Sequence, residues 1–154
     1  MIQLTADHFS PGEALARFCQ GRSESGAVAS FVGLARSAEG AQAALELEAY
    51  PGFTELQIGV FADAAVARFS LDDVTIIHRY GLIPTGEAIV MVLTAAAHRR
   101  EAFEACDYLM DYLKSRAPFW KRESGLDGPV WIEPTSRDGA DLARWEPGDP
   151  GDLT

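Results

Sequence analysis

The chain has 154 residues, a length that suits one domain rather than two. Apolar residues make up 47 % and charged residues 23 %, an ordinary globular balance with enough apolar surface for a sizeable core. A net charge of −10 argues against general nucleic-acid binding and against coating an anionic membrane, and no apolar run is long enough to span one.

The first residues, MIQLTADHF, have neither the basic start nor the apolar stretch of a secretory leader, so a cytoplasmic protein is expected. Ser10, Pro11 and Glu13 open a helix as cap, first-turn proline and capping-box acid. Leu15, Phe18 and Cys19 then share one face, which predicts a core position for Cys19, and Gly21 ends the helix. Residues 27–32 (AVASFV) read as a strand, followed by a loop with Gly33, Arg36 and Gly40. Residues 45–50 (LELEAY) alternate like a half-exposed strand, and Pro51-Gly52 breaks it. Thr54 and Gln57 read as a second capping box, and Phe53, Leu56, Val60, Ala64 and Ala67 recur at helical spacing. Residues 74–77 form a short strand, 84–86 a turn, and 88–95 (AIVMVLTA) a buried strand.

The longest helix is predicted over about 98–116, with Phe103, Cys106, Met110, Leu113 and Ala117 on one apolar stripe and Pro118 as its stop. Trp131-Ile132 reads as a last strand, and 138–145 as a short helix with Leu142 and Trp145 inward. Residues 1–146 make a single domain, and the acidic tail 147–154 is expected to be disordered. The element order α-β-β-α-β-β-α-β predicts an α+β or mixed two-layer domain.

The charge is uneven. Residues 98–123 hold Arg99, Arg100, Lys114, Arg116, Lys121 and Arg122, nearly half of the 13 cations, and both lysines of the chain. Such a patch in an acidic protein suits a small anionic ligand, although on charge alone a helix face balanced by its own acids is the slightly better reading. His98 and Arg99 follow a strand and open a helix, where free N–H groups favour anions. In the segment from Lys114 to Glu123, Pro118, Phe119 and Trp120 stiffen the chain between the two lysines. A lysine beside apolar rings is suited to proton transfer or nucleophilic work; the plainer reading is core aromatics with both amines in water. Arg36, in a Gly-flanked loop, is a possible third cationic arm. The three histidines show no metal-ligand spacing and the two cysteines are too few for a zinc site, so neither metal nor cofactor is expected. Cys106 falls on the apolar stripe and reads as core.

Several stretches resemble the MoaE family, the large catalytic subunit of molybdopterin synthase. They are residues 26–33 (GAVASFVG) with Arg36, 47–50 (LEAY), 74–81 (VTIIHRYG), Gly86-Glu87, Ala97-His98-Arg99 with 102–105 (AFEA), and 110–123 (MDYLKSRAPFWKRE). The last motif is long and specific, and the resemblance spans about residues 26–133.

The resemblance implies an α/β hammerhead-type domain with an additional antiparallel sheet. It implies a sulfurtransferase that adds two sulfurs to cyclic pyranopterin monophosphate, making the molybdopterin dithiolene. The sulfur donor would be a thiocarboxylate on the C-terminal Gly-Gly of a small ubiquitin-like subunit. Two large subunits would form a homodimer at the centre of a heterotetramer. Lys114 and Lys121 match the family's catalytic lysines, one holding the thiocarboxylate charge and the other moving protons at the pterin. Arg36, His98 and Arg99 match its anion pocket, which the family shares across the dimer; Arg116, Arg122 and Glu123 are further binding candidates. The loop after Arg36 reads SAEG, without the family's Asn-rich pattern. A rival class is a non-catalytic subunit that binds a ubiquitin-like tail or a phosphorylated ligand.

Overall fold

The computed structural model describes residues 1–36, 44–125, 128–133 and 135–146; the SAEG loop and the acidic tail lie outside the described residues. The core is a four-stranded sheet in the order β1-β4-β6-β2. Strand β1 (Ile2–Thr5) runs parallel to β4 (Asp73–Arg79). Strand β6 (Ala88–Ala96) is antiparallel to both β4 and β2 (Ala27–Leu34). The two central strands are buried along nearly their whole length because both faces of the sheet are covered, and β6 is a nearly continuous apolar run.

Side chains alternate across those strands with the period of two that a pleated strand imposes. Val74, Ile76, Val90 and Val92 point toward α2 (Phe53–Phe69) and α3 (Arg99–Ser115), meeting Ile58, Ala62, Ala105 and Leu109. Ile77, Met91, Leu93 and Ala95 point the other way, onto Phe18 of α1 (Pro11–Cys19). A final helix, α4 (Ser136–Ala143), packs against α3 with Leu142 buried, and Trp145 follows it onto the same core.

A second sheet, entirely antiparallel, is ordered β5-β3-β7-β8. It comprises β3 (Leu45–Glu48), β5 (Gly81–Ile83), β7 (Trp120–Gly125) and β8 (Gly128–Ile132). The α+β architecture with an additional antiparallel sheet is thus as expected. Strands β1, β5 and β7 go beyond the sequence-based reading.

Local details correct four expectations. Cys19 is exposed: it ends α1, whose inward residues are Ala14, Leu15 and Phe18. Helix α2 is not capped by Thr54. Its N-cap is Gly52, at φ +86°, whose N–H donates to Glu55 Oε2 at 3.2 Å, while Thr54 is fully buried. The stripe Phe53, Leu56, Val60, Ala64 and Ala67 faces outward, since Thr54, Ile58, Ala62, Ala65 and Phe69 form the inner face. Phe103 is 65 % exposed, because the buried face of α3 centres on Ala102, Ala105, Cys106, Leu109 and Leu113. Ser10 caps α1 as expected, accepting the Glu13 N–H at 3.3 Å.

Candidate active site

A cavity of about 450 Å³ opens where the two sheets meet the C-terminal end of α3. The end of β2 (Phe31 to Leu34), β3 (Leu45 and Leu47) and Ile89 and Val90 of β6 form apolar walls. Met110, Leu113, Ala117 and Phe119 continue them, and Arg36, His78 and Lys114 are its polar members among the described residues. Gly33 is required by the packing: a Cβ there would sit 2.7 Å from Val90 Cγ1.

Each polar group is placed by local structure. The apolar stripe of α3 turns Leu113 inward, which sets the next residue, Lys114, at the rim. Its side chain is 56 % exposed, with Nζ 4.0 Å from Asp138 Oδ1, a surface pair of small energetic weight. The helix stops at Ser115, and the N–H groups of Arg116 and Ala117 both donate to Tyr112 O, at 2.8 and 3.1 Å. Pro118 then carries the chain to the cavity wall. The buried Thr54 hydroxyl donates to Pro118 O at 3.3 Å and accepts the Tyr50 N–H at 3.1 Å, so α2 anchors the turn. Phe119 stacks on His78, with ring centres 3.9 Å apart and planes 17° from parallel. Arg36 follows the buried Ala35, whose N–H donates to Glu87 O at 2.8 Å and whose carbonyl accepts the Gly86 N–H at 2.7 Å. The turn before β6 therefore fixes where Arg36 leaves the sheet.

The structure brings Lys114 and Arg36 together. His98 and Arg99 lie at the opposite end of α3 from this cavity. The β2–β6 register pairs Leu34 with Ala88 beside the cavity and Ala27 with Ala96 far from it, and His98 follows Ala96 closely. Along α3, Arg99 and Lys114 are about 22 Å apart at 1.5 Å per residue. Both residues are exposed, and His98 caps α3 without a side-chain hydrogen bond. Arg116 pairs with Glu146 at 3.3 Å beside α4, outside the cavity lining. Arg122 pairs with Glu46 at 3.7 Å, across the β3–β7 ladder. The backbone of Lys121 stands opposite the cavity residue Leu47 in that ladder; the side chains of Lys121 and Glu123 lie outside the described part of the structure.

His78 was not among the candidates drawn from the sequence. Its place is set by the register of β4 and by Phe119, about forty residues further along, so no local motif announces it. Cys106 is buried, and that burial, with Asp107 beside it, pushes its thiol up to about 11, so it remains a neutral core group.

The architecture and cavity define an α+β protein with a partly apolar cleft carrying two cations, suited to a small anionic substrate with a hydrophobic body. More narrowly, the chain belongs to the MoaE family: the family model described as MoaE protein matches residues 4–116. The molybdopterin synthase catalytic subunit of Caulobacter vibrioides is 64 % identical over 146 residues, covering 95 % of this chain and 97 % of that protein. The solved molybdopterin biosynthesis MoaE protein of Burkholderia ambifaria is 43 % identical, with a TM-score of 0.81 over 94 % of this chain and 97 % of that one. The same fold recurs, at 17 % identity and a TM-score of 0.73, in the complex of subunits 1 and 2 of molybdopterin-converting factor from Helicobacter pylori, covering 85 % of this chain and 89 % of that one.

Proposed function

We propose that the chain is the catalytic subunit of a cytoplasmic molybdopterin synthase and acts as a sulfurtransferase. It takes sulfur from a thiocarboxylated Gly-Gly C-terminus of a small ubiquitin-like subunit. It inserts two sulfurs into cyclic pyranopterin monophosphate, forming the molybdopterin dithiolene. The observation that carries this reading is the convergence of Lys114 and Arg36 on one apolar-walled cavity in a chain so similar to named catalytic subunits.

The roles follow from charge and reach. The Lys114 ammonium at the rim meets the incoming thiocarboxylate and stabilises the negative charge that sulfur carries as it leaves the acyl carbon. Lys121, in register with Leu47, moves protons at the pterin as carbon–sulfur bonds form. The Arg36 guanidinium suits the substrate phosphate, which its planar fork binds through two hydrogen bonds.

His98 and Arg99 join this site from a second copy of the chain. Strand β2 is an edge of its sheet, with Phe31 and Leu34 exposed. Antiparallel pairing of two β2 edges about a two-fold axis sets the Arg36 end of one copy against the Ala27 end of the other, beside its His98. The apolar walls are suited to the extended tail of the small subunit.

An anaerobic single-turnover assay tests the function. Purified protein is mixed with the thiocarboxylated small subunit and cyclic pyranopterin monophosphate, and the oxidised pterin products are separated. Dithiolene-bearing pterin is expected only when the chain is present; its absence with a small subunit that binds overturns the reading.

A further inference from the structure

We propose that the buried Arg79 is a positioning residue for substrate binding: through Glu87 it fixes the backbone from which Arg36 reaches the cavity. The inference rests on the function proposed above, in which Arg36 binds the substrate phosphate.

Arg79 ends β4 and is only 4 % exposed. Among the described residues it is the only buried side chain with a permanent charge. The period of two along β4 puts it on the face of Ile77, opposite His78, and it does not line the cavity. Its guanidinium reaches instead to the start of β6. Nη1 donates to Glu87 Oε2 at 2.6 Å and, more weakly, to the Ala88 carbonyl at 3.4 Å. One charged nitrogen thus holds two successive residues, the first by its side chain and the second by its backbone.

Glu87 passes this constraint on. Its N–H donates to Pro84 O at 3.2 Å and closes the turn before β6, and its carbonyl accepts the Ala35 N–H at 2.8 Å. The Gly86 N–H donates to the Ala35 carbonyl at 2.7 Å, from a φ of +90° that glycine adopts without strain. Both peptide groups of Ala35 are therefore held by this turn, and Arg36 is the next residue. The regular β2–β6 ladder ends one residue earlier, at Leu34 and Ala88, after a register shift at Gly33. The direction in which Arg36 leaves the sheet thus depends on the turn, and the turn is tied to the core by the Arg79–Glu87 pair.

Stability alone does not call for an arginine here. Arg79 Nε is buried and has no hydrogen-bond partner among the described residues. Burying a cation is costly, and an apolar side chain of similar volume often serves stability as well. What the ion pair supplies is a fixed place for Glu87, and a charged binding arm is effective only when its supporting residues are fixed.

The test is a double-mutant cycle read as affinity for cyclic pyranopterin monophosphate, with kcat, small-subunit binding and thermal unfolding measured beside it. Arg79→Met fills the buried space without charge. It should weaken substrate affinity and raise KM about 10-fold, with kcat within about two-fold of wild type. In an Arg36→Ala background the same substitution should change affinity by less than about two-fold, because the arm it positions is gone. Small-subunit binding should be unchanged. Glu87→Gln removes the charge at a partly exposed position; it should show the same non-additivity, and it decides the matter if Arg79→Met does not fold. Losses that add in full, wild-type affinity in folded variants, or failure of both variants to fold overturn the inference and leave the function standing. Wild-type affinity in Arg36→Ala removes the arm and the inference with it. A wild-type protein that neither binds nor converts the pterin overturns the function itself.

Discussion

The Thr54 hydroxyl, fully buried at the start of α2, donates to the carbonyl of Pro118, 64 residues further along the chain. That bond joins the helix layer to the turn carrying Phe119 into the cavity. Thr54→Val keeps the shape but leaves the Pro118 carbonyl and the Tyr50 N–H without this partner. We expect a loss of about 1–3 kcal/mol in urea unfolding and slower sulfur transfer.

Arg36→Ala should weaken pterin substrate binding by about 10–100-fold, the range for losing charge-assisted hydrogen bonds to a phosphate. Binding of the small subunit should change little. Titration of the phosphorylated substrate against the variant separates these effects.

The proposed division of the site between two copies makes a sharper prediction. With pterin substrate kept well below the weakened dissociation constant, Arg36→Ala and Arg99→Ala should each show little activity alone. Mixed and allowed to exchange subunits, they form heterodimers with one intact site, so activity should recover to about a quarter of wild type. A monomeric site would show no recovery in the same assay.

The two cysteines should react very differently. Exposed Cys19 should label rapidly with a thiol reagent at pH 8, and buried Cys106 only on unfolding. The folded Cys106 thiol titrates at about 11 against an ordinary value of 9.0. Below pH 9 both states hold the proton and stability is unaffected by this group. Between about 9 and 11 the unfolded chain sheds a proton that the folded chain keeps, so stability falls as pH rises. Urea midpoints across that range should fall less in Cys106→Ala.

Much of this was legible in the chain. The cap at Ser10, the long amphipathic α3, Leu142 and Trp145 facing inward, and the buried run of β6 follow from local chemistry. Strand β1 was not legible, because four residues find their partner in β4 more than seventy positions away. Strand β7 was hidden by its charge: WKRESG shows no apolar alternation and is held by pairing on both sides. The face of α2 was ambiguous because both sides are rich in small and apolar residues, so periodicity alone could not choose. Within the site, Lys114 and Arg36 stand out as cations among apolar neighbours. His78 does not, since only the register of β4 and the stacking of Phe119 place it in the cavity.

The most direct test of the account is single-turnover sulfur transfer by Lys114→Ala beside wild type. Lys114 is 56 % exposed and its ion pair is weak, so unfolding stability should change by less than about 1 kcal/mol. Loss of the charge proposed to stabilise departing sulfur should lower product formation by about 100-fold or more. A folded Lys114→Ala protein that transfers sulfur at the wild-type rate would contradict the central claim that this cavity is where the reaction occurs.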